Sequence, residues 1–104
     1  MKLLRDFAGL EIRLSDERRE HILDHPEMVG MERAIEETLL QPIVVVQSLS
    51  DPEAHLYYRY YLGTMVGDKF LCVVVKVSED DAFVLTAYLT DKVKKGIQLW
   101  PRSE

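Results

Sequence analysis

The sequence predicts an α+β fold in which two N-terminal helices pack on one face of a four-stranded antiparallel β-sheet. Three observations carry that expectation. Met31, Ala34, Ile35, Thr38 and Leu39 recur at the spacing of one helix face. Four runs rich in β-branched and aromatic residues then follow one another between Ile43 and Leu89. The connectors between them, "LSDPEAH", "GTMVGD" and "SEDD", are short, whereas a parallel return needs a crossover of about a dozen or more residues. Short connectors imply an antiparallel meander, and helices followed by a meander give a two-layer domain.

The first helix is expected in "RLSDERREHILDHP". Ser15 suits the N-cap, Asp16 and Glu17 suit the positive end of the helix dipole, and Pro26 biases His25 out of the helical region. Ile22 and Leu23 are its main apolar anchors. The second helix is expected from about Gly30 to Leu40, where the apolar stripe runs, and Pro42 closes it. The strands are Ile43 to Ser48, Leu56 to Leu62, Lys69 to Val77 and Ala82 to Leu89. The 104 residues, 47% of them hydrophobic, fit one domain over 1–104 with a core from about 12 to 100.

Side chains alternate between the faces of a sheet, so residues two apart share a face. If the wholly apolar rows of each strand face the helices, Arg59, Lys76, Thr86 and Tyr88 all fall on the other face. That choice keeps both cations out of the core, where an unpaired charge is costly. The plain alternative is an ordinary wet sheet face, which often carries Arg, Lys, Thr and Tyr. Phe70, Val74 and Val84 in the same row argue instead for a site with convergent polar groups.

Composition narrows the function classes. The net charge is −5, with the acidic excess in residues 1–50, so a protein that grips nucleic acid over a broadly basic surface is excluded and any phosphate contact is local. No apolar run is long enough to span a bilayer, and the first ten residues lack a signal peptide's pattern, so the expectation is a cytoplasmic protein without a membrane partner. Cys72, the one cysteine, has no partner for a disulfide and reads as core filler. His21 and His25 stand at a metal-ligand spacing, but the Glu of a zinc-protease helix and a third ligand are missing, so neither a metal nor a cofactor is expected.

The segments "LSDERREHILDHPEM", "YYRYY", "VVVKV" and "FVLTAYLTDKVKKGIQLW" resemble the phage-associated branch of the barnase, EndoU, colicin and RelE-like (BECR-fold) nuclease superfamily. The likeness runs over roughly residues 12 to 100. It implies a BECR-like fold and metal-independent endoribonuclease activity, in which the ribose 2′-oxygen attacks the adjacent phosphorus while cations hold the phosphate oxygens. On this resemblance His25 is the candidate general acid or base, since an imidazole titrates near neutrality. Arg59 would grip phosphate bidentately, Lys76 would add a point charge, and Thr86 would donate a hydrogen bond. Tyr88 would bond to phosphate or stack on a base, and Lys94 and Lys95 would guide the RNA backbone. RNA, such as tRNA or another structured RNA, is the implied partner, and a toxin-like protein would also have an inhibitor protein.

Each residue has a structural alternative. His25 can cap a helix end, Arg59 can pair with Asp51 or Glu53, and the tyrosines can be cross-strand packing partners. The competing function is a catalytically inactive module of the same fold that binds RNA, another anion or a protein partner. Ile97, Leu99 and Trp100 form an apolar tail, either a docking point or a segment that packs back on the sheet edge.

Overall fold

The computed structural model describes residues 1–102. The first helix, α1, spans Asp16–Leu23. Ser15 caps it by accepting the Arg18 N–H at 3.2 Å, so the capping expectation holds. Only Ile22 of this helix is buried, and Pro26 opens a short 3-10 turn, Pro26–Met28, where the helix has stopped. Gly30, with φ of +81°, makes the left-handed turn into α2, Glu32–Leu40, a conformation that only glycine adopts cheaply. Ile35, Thr38 and Leu39 of α2 are buried, the stripe read from the sequence.

The sheet has seven strands rather than four, and it is mixed rather than antiparallel throughout. The strands are β1 Lys2–Arg5, β2 Glu11–Leu14, β3 Val44–Ser48, β4 Ala54–Thr64, β5 Gly67–Val77, β6 Ala82–Thr90 and β7 Gly96–Trp100, in the order β1-β2-β6-β5-β4-β3-β7. The expected meander is its centre, β3 to β6. Two additions overturn the four-stranded expectation. A hairpin of β1 and β2 joins β6 through a parallel pair, Arg13 with Phe83. At the far edge β7 lies antiparallel on β3, so the apolar tail packs back on the sheet. These strands escape pattern reading because they are only four or five residues long, and β1 and β7 are also mostly exposed.

Both faces of the sheet carry apolar clusters. The helix side holds Ile12, Leu14, Ile22, Ile35, Leu39, Tyr57, Leu71, Val73, Val75 and Val84. The helix-free side holds a smaller cluster of Val46, Ala54, Leu56, Tyr58, Cys72 and Val74. Its cover is the segment Asp91 to Lys95, which carries the chain from β6 to β7 across β5, β4 and β3. Val93 packs against that cluster, and the Lys94 N–H donates to the Tyr58 hydroxyl at 3.1 Å.

Two irregularities interrupt the regular sheet. The register of β5 on β6 shifts between Val74 and Val75, whose partners are Thr86 and Val84, leaving Leu85 as the extra residue of a β-bulge. Val84 and Ala87 therefore face the helices, while Leu85 and Tyr88 pack on the other side. Arg18 donates to the Leu85 carbonyl at 3.1 Å. The second irregularity is a loop, Asp6 to Leu10, that turns across the helix side. Tyr57 donates to the buried Asp6 carboxylate at 2.7 Å, and Asp6 also accepts the N–H groups of Ala8 and Leu10, each at 2.9 Å. Phe7 in this loop stacks on Trp100 of β7, ring centroids 4.9 Å apart. The two ends of the described chain thus meet. No helix among the described residues is long and apolar enough to cross a membrane.

Candidate functional site

A pocket of about 290 Å³ lies on the helix-free face between the sheet and the crossing segment. Val46, Leu56 and Val74 contribute its apolar surface, Thr86 and Tyr88 come from β6, and Lys94 and Lys95 come from the crossing segment. Ser48, Ser50 and Asp51, with Ala54, form the remaining wall. Local turn chemistry fixes that wall: the two serine hydroxyls lie 3.1 Å apart, and the Ser48 Oγ accepts the Asp51 N–H at 3.3 Å.

Lys76 also belongs to this side, since it is paired across the ladder with Ala54 of the helix-free cluster. Its ammonium donates to Asp51. The contact holds the Asp51 carboxyl below its ordinary range, helped by the Glu53 N–H, and raises the lysine in turn. Lys76 is a neutralised partner, and Lys94 and Lys95 are the cations that line the pocket.

Cys72 is the cross-strand partner of both Tyr58 and Tyr88, and the three pack together in the helix-free cluster. Burial pushes Tyr58 up to about 12 and also raises Tyr88 and Cys72. These groups stay protonated at neutral pH. Tyr88 both packs on this cluster and lines the pocket.

Two expected members of the site lie elsewhere. Arg59 does not share a face with Lys76, Thr86 and Tyr88. It pairs with Leu71 of the helix-side core, and its guanidinium donates to the Gln41 carbonyl at 2.8 Å and lies 3.4 Å from Glu37. The expectation assumed that an arginine must avoid the helix side. Instead it closes the C-terminal end of α2, where unpaired carbonyls favour a cation. Its row neighbour Tyr61 is anchored likewise, donating to Glu37 at 2.6 Å and to the Ala34 carbonyl at 3.2 Å. Neither Asp51 nor Glu53 is the ion-pair partner of Arg59; Glu37 is.

His25 precedes the 3-10 turn in the helical layer, mostly exposed, with Nδ1 3.9 Å from Glu27 and its ring 6.3 Å from that of His21. It makes no side-chain cap hydrogen bond and does not line the pocket. No group of three or more His, Cys, Asp or Glu residues among the described residues is arranged to hold a metal ion.

The structure thus brings Thr86, Tyr88, Lys94 and Lys95 together, sets Lys76 beside them, and separates Arg59 and His25. Sequence reasoning missed Ser48, Ser50 and Asp51, because "SLSD" carries only a turn signal until the fold lays it beside the lysines. It also passed over His55, on the helix side, whose pKa is lowered by burial against an opposing pull from Asp6. No family model, curated protein or solved structure matches the chain.

Proposed function

We propose that the chain is a metal-independent endoribonuclease whose helix-free pocket receives a phosphodiester of RNA. The observation that carries this is the placement of Lys94 and Lys95 over the same cleft as the Thr86, Ser48 and Ser50 hydroxyls. Two ammonium groups and several hydroxyl donors are the complement of a phosphate's non-bridging oxygens. The resemblance of "VVVKV" and "TAYLTDKVKK" to the BECR-fold nucleases supports the choice of RNA and of cleavage.

In that reaction the 2′-oxygen forms a bond to phosphorus as the bond to the 5′-oxygen breaks. The products are a 2′,3′-cyclic phosphate and a 5′-hydroxyl, and the 2′-hydroxyl proton is taken up as the leaving oxygen gains one. The lysines and hydroxyls stabilise the charge on the phosphate oxygens, and Lys76 becomes a third cation where RNA draws it from Asp51. The buried, unpaired Cys72 fits a reducing compartment, and the cytoplasm is the place we assign.

One observation favours a second reading, RNA binding without cleavage. The phenols beside the pocket are pushed up and the Asp51 carboxyl is held down. That leaves no side chain in the cleft suited to move a proton near neutral pH.

Purified protein incubated with a tRNA pool in EDTA separates the two readings. Cleavage predicts fragments with 2′,3′-cyclic phosphate ends that disappear in the Lys94→Ala/Lys95→Ala double variant. Intact RNA that still binds the parent and is released by the double variant selects the binding reading. His25→Ala assigns the proton carrier: cleavage lost with binding retained would give the role to this imidazole.

A further inference from the structure

We infer that the helix-free pocket is a slot for one unpaired nucleobase, with the base on the apolar surface and its phosphate at the lysines. The inference rests on the RNA reading above and names the form of RNA that the site takes. A site for phosphate alone needs donors and charge. This one adds a floor of Val46, Leu56 and Val74 and the ring of Tyr88, surface that a phosphate cannot use and that a base can. Tyr88, which lines the pocket and packs on the helix-free cluster, supplies an aromatic ring, and aromatic rings hold bases by stacking. The Asp91 to Lys95 segment packs Val93 on the smaller cluster and contributes Lys94 and Lys95 to the lining of the pocket.

Size and access fix the rest. At about 290 Å³ the pocket stands at the lower end of small-ligand cavities, with room for a base. A base held in a duplex presents only its edges, so only one out of the stack can lie on this floor. The substrate class is therefore single-stranded RNA, or the loop of a structured RNA, and a nucleoside monophosphate is its minimal ligand.

The test is a set of equilibrium titrations of the full chain at low salt. One series uses the four nucleoside 3′-monophosphates, ribose 5-phosphate and inorganic phosphate. The other uses a labelled 12-mer RNA, single-stranded and annealed to its complement. At least one nucleotide is expected to bind about tenfold tighter than ribose 5-phosphate, and the single strand about tenfold tighter than the duplex. Val74→Phe, which fills the floor and leaves the lysines alone, is expected to abolish both preferences; the ligand series judges the inference even if that variant fails to fold. Equal binding of nucleotide and ribose 5-phosphate, or of single strand and duplex, overturns the base slot while leaving RNA binding intact. Binding of neither RNA nor phosphate overturns the slot and the RNA reading together.

Discussion

At the level of single residues, Arg59 and Tyr57 show how a β-strand's facing is decided. By charge alone Arg59 belongs on the open face, and by that rule all of β4 is turned over. What decides the matter is the rest of its row: Tyr57 and Tyr61 reach polar partners on the helix side, at Asp6 and Glu37, and Arg59 follows because side chains alternate. Two aromatic anchors outweigh one cation that ends, two-thirds covered, at a helix terminus. The sequence shows the alternation but not these partners, which lie far away along the chain. Tyr57→Phe should cost about 1.5–3 kcal/mol, the scale of a buried hydrogen bond to a charged group, read from urea unfolding midpoints, with RNA affinity unchanged. Arg59→Ala should cost about 1 kcal/mol of stability and leave RNA cleavage within twofold of the parent. A complete loss of cleavage in a folded Arg59→Ala protein would return this residue to the site.

Among the elements, the segment between β6 and β7 matters most for the site. Its five residues join strands four positions apart in the sheet. That separation is up to about 19 Å at ~4.8 Å per strand, a long crossing for so few residues. The segment is short and bends at Asp91 and Lys92, so Lys94 and Lys95 are held where the anchors at either end put them. One anchor is Gly96, where an added Cβ would lie 2.4 Å from both the Gln47 carbonyl oxygen and Val46 Cγ1. Gly96→Ala should therefore push β7 off β3, destabilise the fold by about 1–3 kcal/mol and weaken RNA binding toward the level of the double lysine variant. Thermal unfolding together with RNA titration checks this, and unchanged binding would show that the lysines are placed by other contacts. The four central strands are legible in the sequence because each is a long β-branched or aromatic run. The β1–β2 hairpin is not, since each of its strands has four residues, too few for alternation to stand out. The bulge at Leu85 is not either: it changes which residues share a face without changing composition.

For the molecule as a whole, charge and site disagree in sign. The chain carries −5, yet the groups that line the pocket include two lysines, while Lys76 is tied to Asp51. With about two phosphates neutralised, log K for a single strand should fall against log salt with a slope near −1.4, measured by anisotropy between 50 and 200 mM salt. A slope of −4 or steeper would mean a wider basic footprint than this pocket supplies. Asp51→Asn should free Lys76 and deepen the slope by about 0.7, the increment for one more phosphate contact.

The stack of Phe7 on Trp100 gives the protein a built-in optical probe. Trp100 is the one tryptophan of the chain, and it sits at the junction of the first loop and the last strand rather than in the central meander. Closing a loop of nearly the whole chain carries the largest entropy cost of any contact described here. Tryptophan emission therefore reports the sealing of the ends, the same event that fixes the far end of the lysine segment, and circular dichroism reports the meander. In a stopped-flow refolding experiment the emission change should lag the ellipticity change.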